Sequence, residues 1–327
     1  MQLIVKTALA AILSLGLVSC ATQPDPITIS SAVTDKYVTP EEYKDHRAQQ
    51  SLFETPTGNI AFTDHGEGKT VVLLHGVPTS SWMYRKLIGK LTPNMRVITV
   101  DLLGYGSSDK PENEDDIYSS VAHARRVEAL LAARGVENYT ILMHDMGGLV
   151  AWEMLRDAPT KVDGLIVLNT IVDQDGFNDP DLNAGFLTRQ ISRAYSSALT
   201  SVAILDKVFG DLGLTGKHSL SENECFGYVR PMREGADGAI YSFFTGLNDE
   251  QFARLDEHQT LWPSYDTDVL VMWGEKDKTL TSKQIESLQA GFNIKGENIH
   301  VFPDNAHFLT EEIPEVIADK VTKFVQK

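Results

Sequence analysis

Two kinds of apolar pattern alternate along the chain. Residues 70–74 (TVVLL) form an unbroken run of β-branched and leucine residues between polar neighbours. A short run without alternation is the mark of a strand covered on both faces. The same type recurs at 97–100, 140–143, 164–168 and 269–272, with weaker strand signals at 51–54, 59–64 and 298–302. Between them lie helical stretches over 82–91, 119–134, 148–157, 282–292 and 314–325. Strand and helix in alternation predict an α/β fold, a mostly parallel central sheet with helices on both faces.

The interval 171–265 breaks the rhythm. It holds no buried-strand run and reads instead as helices at 183–195, 201–209, 221–231 and 236–246. An all-helical insertion between two strands is expected to cap the C-terminal edge of the sheet, where open α/β folds place their ligands. The predicted organisation is a core of residues 46–170 and 266–327 with a helical cap over 171–265.

The first residues do not belong to that fold. An apolar run over 7–18 follows Lys6 and is too short to span a bilayer as a permanent helix. Residues 1–19 read as a signal peptide, and Leu17-Val18-Ser19-Cys20 resembles a bacterial lipoprotein cleavage box. A plain secretory signal is the alternative. Lipid on Cys20 would anchor an otherwise soluble domain through buried CH2 groups. Residues 20–45, mixed Pro, Thr, Ser, Asp and Lys, read as the lipidated cysteine and a tether. With Ala21 and Thr22 after the cysteine, the expected place is the cell envelope, on the periplasmic side of the outer membrane.

Composition changes little in this picture. Hydrophobic residues make up 42% and charged residues 23%, as in an ordinary folded enzyme. The net charge of −16, with no Lys/Arg-rich block, argues against a nucleic-acid partner. The second cysteine, Cys225, then has no partner within the chain and reads as a buried apolar thiol.

The chemistry-bearing positions follow the buried runs. Residues 139–148 (YTILMHDMGG) pass from strand to helix with Asp145 at the turn. A nucleophile elbow is a strained turn that needs small residues close by, and Gly147 and Gly148 supply the room. No Gly-x-Ser-x-Gly occurs anywhere in the chain; an aspartate stands at the place of the serine. Taken alone, Asp145 could equally serve as a helix N-cap. Its partners favour the nucleophile. Asp277 lies just past the 269–272 strand, and His307 follows the last strand. Nucleophile, acid and histidine in that order is the α/β-hydrolase chain order. Asp173, after the 164–168 strand, is the rival for the acid.

The His75-Gly76-Val77-Pro78 loop follows a buried strand, and the backbone N–H groups of Val77 and Met146 are expected to form an oxyanion hole. His75 reads as a residue that packs this loop. The Gly-rich turn at 101–111 lacks the Gly-Lys-Ser/Thr of a phosphate loop. No metal-ligand spacing is present and the chemistry requires no cofactor.

The blocks HGVPTSSWMYR (75–85), DLLGYGSSDKP (101–111), HDMGG (144–148), MWGEKDK (272–278) and NAHF (305–308) resemble the haloalkane dehalogenase and epoxide hydrolase branch of the α/β-hydrolases. The resemblance covers about residues 50–325. It implies an Asp–His–acid hydrolase acting on a small apolar organic substrate and water, without cofactor, through an alkyl-enzyme ester on Asp145. Asp277 and Met143 are dehalogenase-like, whereas His144 is commoner among epoxide hydrolases.

Two departures touch the leaving group. Haloalkane dehalogenases hold the halide with a Trp directly after the nucleophile and a second donor, an Asn in the HG-x-P loop or a Trp in the cap. This chain has Met146 and Val77 at the first two places, and Trp82, Trp152, Trp262 and Trp273 lie outside the cap or at its margin. Epoxide hydrolases protonate the opening ring oxygen with cap tyrosines, for which Tyr195, Tyr228 and Tyr241 are the candidates. A surface binding protein that kept the fold and lost turnover is the third alternative.

Overall fold

The computed structural model describes residues 39–112, 116–177, 209–215 and 218–327. Eight strands form one sheet: β1 (Ser51–Phe53), β2 (Ile60–His65), β3 (Thr70–Leu74), β4 (Arg96–Asp101), β5 (Tyr139–Asp145), β6 (Val162–Thr170), β7 (Asp268–Gly274) and β8 (Ile299–Phe302), in the order β1-β2-β4-β3-β5-β6-β7-β8. The pairs β1–β2 and β2–β4 are antiparallel, so β2 alone runs against the rest; the other pairs are parallel. The unbroken apolar runs are the central strands, and every residue of β3 and β5 is buried.

Helices cover both faces, as parallel crossovers require. They include α2 (Arg85–Leu91), α3 (Ser120–Ala133), α4 (Gly147–Asp157), α8 (Gln284–Gly291), the short α9 (Leu309–Glu312) and α10 (Pro314–Val325). Local signals set their ends. Ser119 caps α3 by accepting from the Ala122 N–H, and Pro314 opens α10 where its missing N–H costs nothing. One face of α10, with Ile317, Ala318, Val321 and Val325, is buried.

Two elements differ from the sequence expectation. A helix, α1 (Glu41–Ala48), begins inside residues 20–45, which the sequence reads as a tether, and runs on into the core range. Its residues are almost all polar, and two rings dock it: Tyr43 packs edge-on against Trp82 and Phe226, at 5.3 and 5.5 Å between centroids, and His46 against Trp82 at 5.2 Å. In the cap, α5 (Glu222–Arg233) and α6 (Asp237–Gly246) fall where expected. A third helix, α7 (Asp249–Leu261), was not foreseen. Its stripe is thin, Leu255 and His258 being its buried residues, and its N-cap is Asn248. Tyr195, Cys20 and the helices expected at 183–195 and over most of 201–209 lie outside the described residues.

Candidate active site

β5 ends at Asp145 and α4 begins two residues later. The turn forces Asp145 to φ +51°, a left-handed conformation that side chains rarely adopt. Both glycines foreseen there are required. A Cβ on Gly147 would lie 2.3 Å from the Leu74 carbonyl oxygen, and one on Gly148 would lie 2.1 Å from Thr170 Oγ1. Thr170 Oγ1 and the Ile171 N–H both donate to the Asp145 carbonyl, at 2.7 and 3.3 Å, tying the elbow to β6.

The carboxylate points into the HG-x-P loop. Asp145 Oδ1 accepts from the Val77 N–H at 2.8 Å, and the adjoining Met146 N–H adds to the field that favours the carboxylate. Asp145 Oδ2 lies 3.8 Å from His307 Nε2. On the far side of the ring, His307 Nδ1–H donates to Asp277 Oδ2 at 2.6 Å. All three side chains are buried, and each is carried at or just beyond the C-terminal end of its strand, so one edge of the sheet presents them together.

Asp277 has further support. Its Oδ1 accepts from the Thr279 and Leu280 N–H groups at 2.9 Å each. Its Oδ2 also accepts from Asn169 Nδ2 at 2.8 Å. The rival Asp173 is engaged elsewhere: Ser287 Oγ and the Asp175 N–H donate to it. Nothing in the sequence marks Asn169 for this role, because an amide near the end of a strand carries no signal of its own.

Two other histidines surround the site. His144 Nε2–H donates to the His307 carbonyl at 3.0 Å, and the two rings lie 4.4 Å apart. The Leu102 N–H donates to His75 Nε2 at 3.0 Å, so the proton of this ring is on Nδ1, facing the Gly76 carbonyl at 2.9 Å. His75 thus holds the loop together.

Burial pushes the Asp145 carboxyl above the usual carboxylate range, against the pull of His307 and the two amides. Burial works against charge on His307, but the Asp277 carboxylate and its hydrogen bond outweigh it and hold this imidazole above the ordinary histidine range. Burial and the nearby His307 charge push His144 well down, so it stays neutral.

The leaving-group candidates fare differently. Three indoles are spent on backbone carbonyls: Trp82 on Glu224, Trp152 on Ile171 and Trp273 on Leu280, at 3.0, 2.9 and 3.1 Å. Tyr228 is corrected as a cap donor, because its buried hydroxyl donates to the Glu311 carboxylate. Tyr241 lies half-buried on α6. A cavity of about 340 Å3 adjoins Met146, with Leu149, Tyr118, His123, Ser242 and Phe243 in its wall; Tyr241 does not line it.

The family model of the alpha/beta hydrolase fold matches residues 69–314. A cis-3-alkyl-4-alkyloxetan-2-one decarboxylase of Shewanella oneidensis is 24% identical over 84% of this chain and 87% of its own length. Haloalkane dehalogenase 2 of Mycobacterium tuberculosis is 27% identical over 81% of this chain and 91% of its own. The crystal structure of a haloalkane dehalogenase from Bradyrhizobium elkani superposes with a TM-score of 0.69 at 21% identity, over 85% of this chain and 97% of that one. A family match over most of the chain, on a sheet of this order, makes the protein a member of the alpha/beta hydrolase fold family, a hydrolase-fold enzyme with haloalkane dehalogenase relatives.

Proposed function

We propose that this protein hydrolyses small apolar electrophiles through an alkyl-enzyme ester on Asp145, in the manner of a haloalkane dehalogenase. The observation that carries the reading is the division of labour within one carboxylate. Oδ1 sits on the Val77 amide, while Oδ2 stands 3.8 Å from an imidazole backed by Asp277. A carboxylate attacks an sp3 carbon without prior deprotonation. Oδ2 displaces the leaving group, and Oδ1 becomes the ester carbonyl oxygen. The gap to His307 Nε2 is wider than a hydrogen bond, so the ring is free to take a proton from a water attacking that ester. The Val77 and Met146 N–H groups then stabilise the tetrahedral oxyanion. The intermediate collapses by breaking the bond between the Asp145 acyl carbon and the alkyl oxygen, the proton on His307 passes to that oxygen, and an alcohol leaves with the Asp145 carboxylate restored.

A second reading changes only the leaving group. An unsolvated halide in a dry pocket costs several kcal/mol, and three of the four indole N–H groups are already committed. A strained oxygen ring, as in an epoxide or an oxetan-2-one, opens with release of ring strain and keeps its leaving oxygen tethered. The oxetan-2-one decarboxylase relative supports including that class.

The test is trapping. His307→Gln protein mixed with 1-bromohexane, 1,2-epoxyhexane or an alkyl oxetan-2-one should accumulate an ester on Asp145, read by mass spectrometry of the peptide. The electrophile that labels names the leaving group. Absence of label from all three, with no turnover by the wild type, would overturn the reading. We further propose a lipid anchor at Cys20; Cys20→Ala protein should move from the membrane to the soluble fraction.

A further inference from the structure

The residues around His307 hold no strand or long helix. β8 ends at Phe302 and α9 starts at Leu309. Something other than a backbone ladder must therefore set the place of the imidazole. The Asn305 carbonyl accepts from the Lys276 N–H at 2.9 Å. In the next three residues, Ala306, His307 and Phe308, one backbone group each is held by another part of the fold, and two of those three ties lead to the segment over residues 209–215.

Glu312 provides the first tie. Its Oε2 accepts from the Ala306 N–H at 2.8 Å, one residue before His307. Its Oε1 accepts from the Thr215 N–H at 2.6 Å and from Thr215 Oγ1 at 2.7 Å. The second tie is direct: the Phe308 N–H donates to the Gly213 carbonyl at 2.9 Å. The rings of Phe209 and Phe308 stack beside it, 4.4 Å apart and within 9° of parallel. The third is the His144 bond to the His307 carbonyl, which comes from the core.

The neighbouring acid is used differently. Glu311 takes Arg85 and Lys86 from α2 and the Tyr228 hydroxyl from α5. Glu312 is buried, and its three donors are neutral. Among the described residues no Lys, Arg or His forms an ion pair with it, so its role is not charge pairing. Its two oxygens divide between the cap and the histidine turn.

We propose that Glu312 is a positioning residue: through Thr215 and Ala306 it locks the cap segment to the turn that carries His307, and so governs the ester-hydrolysis step. This rests on the ester reading above. Under that reading the two half-reactions separate cleanly. Alkylation of Asp145 needs no base, whereas hydrolysis needs His307 aligned on the ester carbonyl. A displacement of about 1 Å can cost on the order of 100-fold in such a step.

The experiment is pre-steady-state kinetics on whichever electrophile labels His307→Gln. In Glu312→Gln the amide group cannot accept as the lost oxygen did, so one of the two ties breaks. Alkylation is expected to stay within about twofold of wild type while hydrolysis slows at least tenfold and ester accumulates as a burst. Thr215→Val removes only the hydroxyl donor and should slow hydrolysis about two- to fivefold, and it serves if Glu312→Gln does not fold. The His307 ring protons in NMR should shift in both variants. Unchanged hydrolysis in folded variants, or a parallel fall of alkylation and hydrolysis, overturns the assignment. Labelling of His307→Gln by none of the electrophiles would instead remove the ester reading, and this inference with it.

Discussion

Asn169 and Asp277, 108 positions apart, meet through one hydrogen bond: Asn169 Nδ2 donates to Asp277 Oδ2 at 2.8 Å, the same oxygen that accepts from His307. Asn169 also bonds the Gly274 N–H and carbonyl, so it fixes the turn that carries the acid. Its φ of +27° is a further sign of a position shaped by its contacts. Asn169→Ala should free Asp277 to rotate and lower the ester-hydrolysis rate by about tenfold, the worth of one charge-assisted hydrogen bond. Burst kinetics with the labelling electrophile measure it, and a rate equal to wild type would remove Asn169 from the catalytic support.

The pH dependence follows from His307. Under the proposed ester mechanism it must be neutral to take a proton from water, and Asp277 holds it above the ordinary histidine value of 6.5. Hydrolysis of the ester should therefore rise with pH through a midpoint above 6.5. Once alkylated, Asp145 no longer contributes charge, and Asp277 alone sustains the shift. Asp277→Asn should move the midpoint downward and cut the rate by about 10²–10⁴-fold. Single-turnover decay of the ester, followed from pH 5 to 9, reads both effects.

Glycine positions separate site from scaffold. Gly147→Ala would drive a Cβ to 2.3 Å from the Leu74 carbonyl in a fully buried strand, and should destabilise by about 1–3 kcal/mol. Gly89, inside α2, has nothing within 4 Å of such a Cβ. Gly89→Ala should stabilise by about 0.5–1 kcal/mol through helix propensity. Urea unfolding of both variants measures the contrast.

Cap helix α7 reports on acid. Glu153 on α4 binds Arg254 and His258 of α7. Burial alone would raise this carboxyl, but the Arg254 hydrogen bonds and the His258 ring 3.2 Å away outweigh it and hold it at about 2, below the ordinary 4.5. A depressed folded value stabilises above the unfolded one, and that contribution disappears as pH falls from 4.5 through about 2. Unfolding free energy should drop over that window in wild type and less steeply in Glu153→Gln, as read by tryptophan fluorescence in urea.

The sequence by itself determined the sheet, the helices on its faces, and the order of Asp145, Asp277 and His307. Those features are local: unbroken apolar runs mark strands buried on two faces, and glycines mark the elbow. The tertiary structure decided everything that depends on which distant group a side chain meets. It joined Asn169 to Asp277, committed the Tyr228 hydroxyl to Glu311, and docked α1 on Trp82 through the rings of Tyr43 and His46. It also tied the His307 turn to the cap through Glu312. Periodicity reports how often a residue faces the core; it carries no information about the partner waiting there. For that reason the meeting of Asp145, Asp277 and His307 at one sheet edge was legible in the sequence, and the contacts that hold them in place were not.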